Sequence, residues 1–272
     1  MKQALVFSAG LGTRLQPLTN TRPKALVNVG GQPLLWHVLT KLRKSGYERV
    51  VVNVHHFASQ IVDYLNDNDF GMTVRVSDEI SQLLDTGGGI KHARELFADD
   101  SPILIHNVDI LSNVDLDWFA RQHLADEDAV LLVSRRRTKR YLLFDSSMHL
   151  KGWINTDTGE VRSPFPWLRE MQLTVDDNQQ VNVQPQSSPF RQSDTVGGNL
   201  YAFAFSGIHS FSPRLFSLME RFPDRFGIID FYLSVCHRSH IVGLPVEGLQ
   251  LLDVGKIDAL DKAEQFVRVY TP

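Results

Sequence analysis

Cysteine is almost absent from this chain. Cys236 stands alone among 272 residues, so no internal disulfide can form, and its apolar helical surroundings suit a packed core thiol. That fits a reducing compartment, and a cytoplasmic location is expected. No run approaches eighteen consecutive apolar residues, so no helical membrane span is expected. The chain enters a strand almost at once, with no signal-peptide pattern before it. Neither sign of charge dominates: the net charge is −3 with 22% charged residues, which does not mark a nucleic-acid binder. The one basic run, Arg135–Arg140, lacks interleaved aromatics and reads as a solvated edge or a weak attractor of anions. Internal repeats, low-complexity tracts and flexible linkers are also missing. A hydrophobic content of 43% over this length can bury a sizeable core, as one α/β domain or one domain with an elaboration.

What is present begins at the first residues. Lys2–Ser8 reads KQALVFS, an apolar strand, and runs into Ala9-Gly10-Leu11-Gly12-Thr13-Arg14-Leu15-Gln16-Pro17-Leu18-Thr19, then Arg22-Pro23-Lys24. A strand ending in a glycine-rich loop lets backbone N–H groups turn inward onto an anion. Arg14 and Lys24 add two permanent cations, which suits a triphosphate that must lose pyrophosphate. A Walker loop is ruled out, because nothing after Gly12 supplies Lys-Ser or Lys-Thr. The dinucleotide fingerprint fails at its third glycine, where Leu15 stands. A plain strand-to-helix turn is the alternative reading.

Strands and helices alternate through the first half. Strands are expected at Val50–Val54, Met72–Val76, Pro102–His106 and Ala129–Ser134, and helices at Phe57–Asn68, Gly88–Phe97 and Leu116–Leu124. Such alternation predicts an α/β fold, a Rossmann-like, mostly parallel sheet flanked by helices, with ligands at the carboxyl ends of strands. From Arg135 the pattern breaks into short apolar pieces, Tyr141–Phe144 and Leu150–Ile154. A Pro- and Gln-rich segment at 160–198 reads as hairpins and loops on a mixed β elaboration. Leu200–Phe205 returns as a strand into Ser206-Gly207-Ile208-His209. Helices are expected at Pro213–Arg221, Ile229–Arg238 and Lys256–Val267. The expected organisation is one domain over 1–272: a nucleotide-binding half (1–134), a β-rich half (135–255) and a C-terminal helix (256–272).

Two acids stand out. Asp109 follows the Ile103–His106 strand and Asp253 follows Leu249–Leu252. Mg²⁺ prefers carboxylate, phosphate and water oxygens and takes only one or two protein carboxylates, so this pair suffices to hold it. An N-cap or turn residue before the next helix for Asp109 and a turn before Lys256 for Asp253 are the structural alternatives. His55 and His56 after a strand read as loop residues, and Asp230 reads as an acidic residue in a helix's first turn.

The segment Ser8–Leu26 resembles the signature of the sugar-phosphate nucleotidyltransferases, A-[AG]-G-x-G-[TE]-R-[LM]-x-P-[LM]-T followed by P-K. The likeness continues at Val29–Leu34, Asp85–Ile90, Asn107-Val108-Asp109 and Asp253-Val254-Gly255. Among subgroups it is most similar to the N-acetylmuramate-1-phosphate uridylyltransferases, then to the mannose-1-phosphate guanylyltransferases. The resemblance implies a GT-A-like fold and an enzyme that joins an NTP to a sugar 1-phosphate, releasing pyrophosphate. UTP with an N-acetylated amino sugar is favoured, GTP with mannose 1-phosphate next. It implies a nucleotide held by Ser8, Ala9, Gly10, Gly12 and Thr13, with Gly87, Gly88 and Asn107 also in contact. Arg14 and Lys24 are catalytic, and Asp109 and Asp253 bind Mg²⁺. By the same resemblance, Gly152 and a turn at Ser206-Gly207-Ile208 border the sugar. The chain departs from the family twice. Val108 stands where many members have Gly, and a β-branched residue resists positive φ. The family's mid-chain Glu-Lys pair is missing between 150 and 200, with Lys151 its nearest substitute. A monomer or small homo-oligomer is expected, with no nucleic-acid or membrane partner. A nucleotide-sugar glycosyltransferase and a non-catalytic regulatory homologue are the readings from other classes. The first lacks a phosphate loop of this kind, and the second fits loss of Arg14, Lys24 or an Asp, all of which are present.

Overall fold

The computed structural model describes every residue except 80, 177, 186–198, 271 and 272, with the backbone alone at 183–185. The chain forms two compact units: Met1–His123, Gly207–Ile228 and Gly248–Pro272 in the first, and Leu124–Ser206 with Ile229–Glu247 in the second.

In chain order the first strands and helices are β1 (Gln3–Phe7), β2 (Asn28–Val29), β3 (Gln32–Pro33), α1 (Leu34–Lys44), β4 (Arg49–Val54), α2 (Ala58–Asp67), β5 (Thr73–Asp78), α3 (Asp85–His92), β6 (Ile103–Asn107), β7 (Ile110–Ser112) and α4 (Leu116–Arg121). There follow β8 (Ala129–Ser134), β9 (Arg140–Phe144), β10 (Leu150–Asn155), β11 (Val161–Arg162), α5 (Pro166–Arg169), β12 (Met171–Val175), β13 (Gln180–Pro185), β14 (Leu200–Phe211), α6 (Phe216–Met219), α7 (Ile228–Val235), β15 (Ile241–Pro245), β16 (Leu251–Asp253) and α8 (Leu260–Tyr270).

The first unit is built on a parallel sheet. β1 lies between β4 and β6, with Leu5 opposite both Val51 and Ile105, and β5 extends it beyond β4. Residues 208–211 of β14 add an antiparallel edge to β6. Ala4, Leu5, Val6, Val50, Val51 and Val52 are wholly buried, as expected where helices cover both faces of a parallel sheet. Helix α1 buries Leu35, Leu39 and Leu42, a stripe at helical spacing. The expected α/β class and mostly parallel sheet therefore hold.

The second unit carries the mixed β structure. β10 runs antiparallel to β9 and β11, β12 pairs with β13, and β15 lies parallel to β8. Tyr141, Leu143, Ile154, Leu168, Leu173 and Ala202 pack into its core. The described residues between 161 and 185 form β11, α5 and a hairpin, close to the expected hairpins and loops, while 177 and 186–198 lie outside the described residues.

Two local expectations are corrected. Ser206-Gly207-Ile208 is not a turn: β14 runs unbroken from Leu200 to Phe211, with Gly207 at a φ of 72° inside it. Pairing of residues 201–203 with β9 and of residues 208–211 with β6 keeps the strand extended on either side of the glycine. The glycine-rich helix also begins earlier than expected, at Asp85, so Gly87–Gly89 lie within it. Glycine has poor helix propensity, and tertiary packing holds these turns, as shown below.

Candidate active site

The glycine loop leaves β1 and is pinned at once by a buried amide. The Ser8 and Ala9 N–H groups donate to Asn53 Oδ1 at 2.7 and 3.2 Å, and the Ser8 hydroxyl donates to the Asn53 carbonyl. These two N–H groups are therefore engaged by protein, and the free approach to an anion starts at Gly10, beside which an added Cβ would meet nothing within 4 Å. Gly12 (φ 65°) turns the chain into a 3₁₀ turn, Thr13–Leu15, which carries Arg14. A Cβ on Gly12 would come 3.0 Å from the Lys24 Cβ, so glycine lets the Lys24 stem pack directly on the loop. The Thr19 hydroxyl closes the loop by donating to the Gly12 carbonyl at 2.9 Å.

Asn53 also links this loop to α3. Its Nδ2 donates to Glu79 Oε1 at 2.8 Å, and the Leu84 N–H donates to Glu79 Oε2 at 3.2 Å. Glu79 is only 2% exposed. Burial pushes its carboxyl above the ordinary range, and the Asn53 and Leu84 hydrogen bonds pull it back toward the charged form. His55 donates from Nδ1 to the Glu79 carbonyl at 2.7 Å, a loop-holding bond.

The two acids meet through β7 and β16. Asp253 is registered opposite Ile110, and the Val254 N–H donates to the Asp109 carbonyl at 2.8 Å, so the two carboxylates leave adjacent backbone positions. The N-cap role does not hold for Asp109, because the cap of the following helix is Asp115, which accepts from the Asp117 and Trp118 N–H groups; Asp109 lies in the turn between β6 and β7. Asp253 Oδ1 accepts from the Gly255 N–H at 2.8 Å. Gly255 also sits beside Arg14: its missing Cβ would fall 2.6 Å from Asp253 Oδ1 and 2.7 Å from Arg14 Nη2. Lys24 forms an ion pair with Asp109 in which both side chains are largely buried. Val108 is not among the positive-φ residues; its N–H donates to the Phe7 carbonyl at 3.1 Å and ties the Asp109 loop to β1.

Gly10, Lys24, Thr86, Asn107, Asp109 and Arg225 share the lining of one cleft of about 330 Å³. No cluster of three or more His, Cys, Asp or Glu side chains able to hold a metal occurs among the described residues. Two carboxylates at adjacent positions, one already holding an ammonium, are a donor set that fits Mg²⁺ completed by phosphate oxygens.

Gly87 and Gly88 serve a role that sequence reasoning missed. Their N–H groups donate to the Phe226 carbonyl at 2.9 and 3.2 Å. A Cβ on Gly87 would collide with the Phe226 ring, and one on Gly88 with the Asp224 carbonyl. Gly207 packs against Asn107, 2.8 Å from its Nδ2 by the same measure.

In the second unit, Gly152 lies under β11, where a Cβ would come 3.1 Å from the Arg162 carbonyl. Lys151, at the irregularity in β10, pairs with Asp145 at 3.0 Å. Ser206 is buried, and its hydroxyl has no hydrogen-bond partner among the described residues. Asp230 pairs with Arg162 at 2.6 Å, and Arg162 stacks on Trp153 with its guanidinium carbon 3.9 Å from the ring centre.

The chain is 48% identical over 163 residues to N-acetylmuramate alpha-1-phosphate uridylyltransferase of Caulobacter vibrioides, covering 59% of this chain and 64% of that relative. It is 38% identical over 115 residues to the protein of the same name from Neisseria meningitidis serogroup B, covering 42% of this chain and 49% of that one. The matches thus span about half to just under two thirds of those relatives' length. The fold resembles that of the inositol-1-phosphate CTP transferase from T. maritima, with a TM-score of 0.69 at 15% identity over 98% of this chain and 95% of that one. A family model described as nucleotidyl transferase matches residues 3–142. The chain belongs to the nucleotidyl transferase family.

Proposed function

We propose that this chain transfers a nucleotidyl group from an NTP to a sugar 1-phosphate, with UTP and N-acetylmuramate 1-phosphate or a related amino sugar as substrates. The observation that carries the reading is the convergence of Lys24, Asp109 and Gly10 on one cleft, with Arg14 and Asp253 meeting at Gly255. The choice of UTP and an amino sugar is supported by the names of the relatives above.

A sugar 1-phosphate oxygen attacks the α-phosphorus of the NTP. The α-phosphorus–oxygen bond to the β-phosphate breaks, and pyrophosphate departs with the electron pair. The nucleophile is already an anion, so no side chain needs to remove a proton, in keeping with His55 being held by the Glu79 carbonyl. Gly10, Gly12, Thr13 and Arg14 face the departing β- and γ-phosphates, and Lys24 steadies the α-phosphate as charge builds. Asp109 and Asp253 would hold Mg²⁺, which when bound neutralises phosphate charge. Gly152, Ser206 and Gly207 are assigned to the sugar. Catalysis rests on positioning and electrostatics, with no covalent enzyme intermediate.

The test is pyrophosphate release across a panel of NTPs and sugar 1-phosphates. The expected result is release that requires both substrates and is greatest with UTP and an N-acetylated amino-sugar 1-phosphate. A GDP-sugar as dominant product would overturn the base choice, and absence of release with every pair would overturn the reaction.

A further inference from the structure

The chain from Phe222 to Ile228 is clamped along α3. Besides the Gly87 and Gly88 bonds to the Phe226 carbonyl, the Phe226 N–H donates to the Leu84 carbonyl at 3.2 Å. The Ile228 N–H donates to the Thr86 hydroxyl at 2.9 Å, and Lys91 Nζ donates to the Phe222 carbonyl at 2.8 Å. The missing side chains of Gly87 and Gly88 are what allow this approach. One consequence is that the N–H groups of these glycines are spent on protein and cannot read a ligand. The other is that the clamped segment presents Arg225 to the cleft, beside Leu83, Asp85 and Thr86. Arg225 makes no hydrogen bond or ion pair with any described residue. This is an exposed guanidinium at the cleft wall, on a backbone that is hydrogen-bonded to α3 on both sides of it.

The cleft is polarised in what its walls offer. Lys24 and Asp109 stand with Gly10 and belong to the phosphates. The Leu83–Thr86 wall offers an apolar side chain, the Asp85 carboxylate, a hydroxyl and Arg225, which is the only one of these whose donors outnumber its acceptors. We propose that Arg225 reads the nucleobase at pyrimidine position 4 or purine position 6 and selects bases that present a carbonyl there, uracil and guanine, over those that present an amino group there, cytosine and adenine. A guanidinium has five donors and no acceptor. Opposite a carbonyl oxygen it forms a charge-assisted bond. Opposite an amino group it faces donor to donor, and both groups lose hydration without return. This inference rests on the nucleotide reading of the cleft and adds the residue that discriminates among nucleotides.

The experiment measures binding of UTP, GTP, CTP and ATP by calorimetry to the full chain and to Arg225→Met, which keeps the stem and removes every donor. Pyrophosphate release is followed in parallel. Arg225 has no partner to lose, so the variant should unfold at the wild-type temperature. UTP and GTP should bind ~10-fold or more weakly, while CTP and ATP bind as before or better, collapsing the discrimination. An Arg225→Lys variant should keep most of the affinity but less of the discrimination, because a single ammonium lacks the planar fork. Equal weakening for all four nucleotides would make Arg225 a phosphate ligand and overturn the proposal, as would no change for any of them. Wild-type chain that binds none of the four and releases no pyrophosphate would overturn both this proposal and the reaction it rests on.

Discussion

Lys24 and Asp109 hold each other in a largely buried ion pair, with side chains 13% and 14% exposed. One was read from the sequence as a phosphate ligand and the other as a metal ligand. A cation that binds Asp109 therefore competes with the Lys24 ammonium, and a phosphate that draws Lys24 away frees the carboxylate. Under the proposed function, metal and nucleotide binding would be coupled through this one contact. Lys24→Gln should tighten Mn²⁺ binding in the absence of nucleotide by about tenfold, since it removes a neighbouring positive charge at the cost of one hydrogen bond. The same variant should lower kcat by ~10²-fold, because the proposed role of Lys24 is to act on charge that develops in the transition state. Calorimetric Mn²⁺ titration and steady-state kinetics check the two halves separately. Unchanged or weaker Mn²⁺ binding would mean that the pair does not gate the carboxylate.

Gly88 and Gly10 make a contrasting pair. A methyl group at Gly88 has nowhere to go but the Asp224 carbonyl, whereas one at Gly10 points into open space. Gly88→Ala should destabilise the fold by ~1–3 kcal/mol, the usual cost of overpacking, while Gly10→Ala should leave stability nearly unchanged. Denaturant melts of the two variants decide the matter. Equal stability of both with wild type would show that the Phe222–Ile228 segment is not clamped on α3.

His106 and His209 sit 1% and 2% exposed on paired strands. Burial pushes both down to about 3 from the ordinary 6.5, with the Lys41 charge adding to the effect at His106. Each is neutral in the folded chain and takes up a proton on unfolding below pH 6.5. Their contribution is complete above pH 6.5 and is lost as the pH falls toward 3, by ~1.4 kcal/mol per pH unit per histidine inside that window. His106→Asn should therefore show a shallower loss of stability between pH 6.5 and 4 than wild type, measured by denaturant midpoints. Parallel curves would mean that His106 is not held neutral.

How legible the site was depended on how local its parts are. The strand, the glycine turn, Arg14 and Lys24 lie within 25 residues, and their chemistry reads directly along the chain. Asp109 and Asp253 were legible as acids after apolar strands. Their meeting depends on the β7–β16 pairing, which no local pattern encodes. Asn53 looked like one polar residue in a buried strand, yet it joins Ser8, 45 residues earlier, to Glu79, 26 residues later. The one available signal was an amide at a position where a buried parallel strand otherwise carries valine. The triglycine was visible, but its purpose was not, because Phe226 and Asp224 lie far downstream. Arg225 was missed for the same reason. Gly207 was misread because glycine beside serine signals a turn, whereas strand pairing on either side of it keeps β14 extended.

The most direct test of the whole account is phosphorus NMR of the chain incubated with Mg²⁺, UTP and N-acetylmuramate 1-phosphate. The account predicts that UTP and the sugar phosphate disappear together, that a diphosphate diester and pyrophosphate appear in equal amounts, and that Asp109→Asn slows this by at least ~10²-fold. Conversion of UTP to UDP and inorganic phosphate with the sugar phosphate untouched, or full activity in Asp109→Asn, would contradict it.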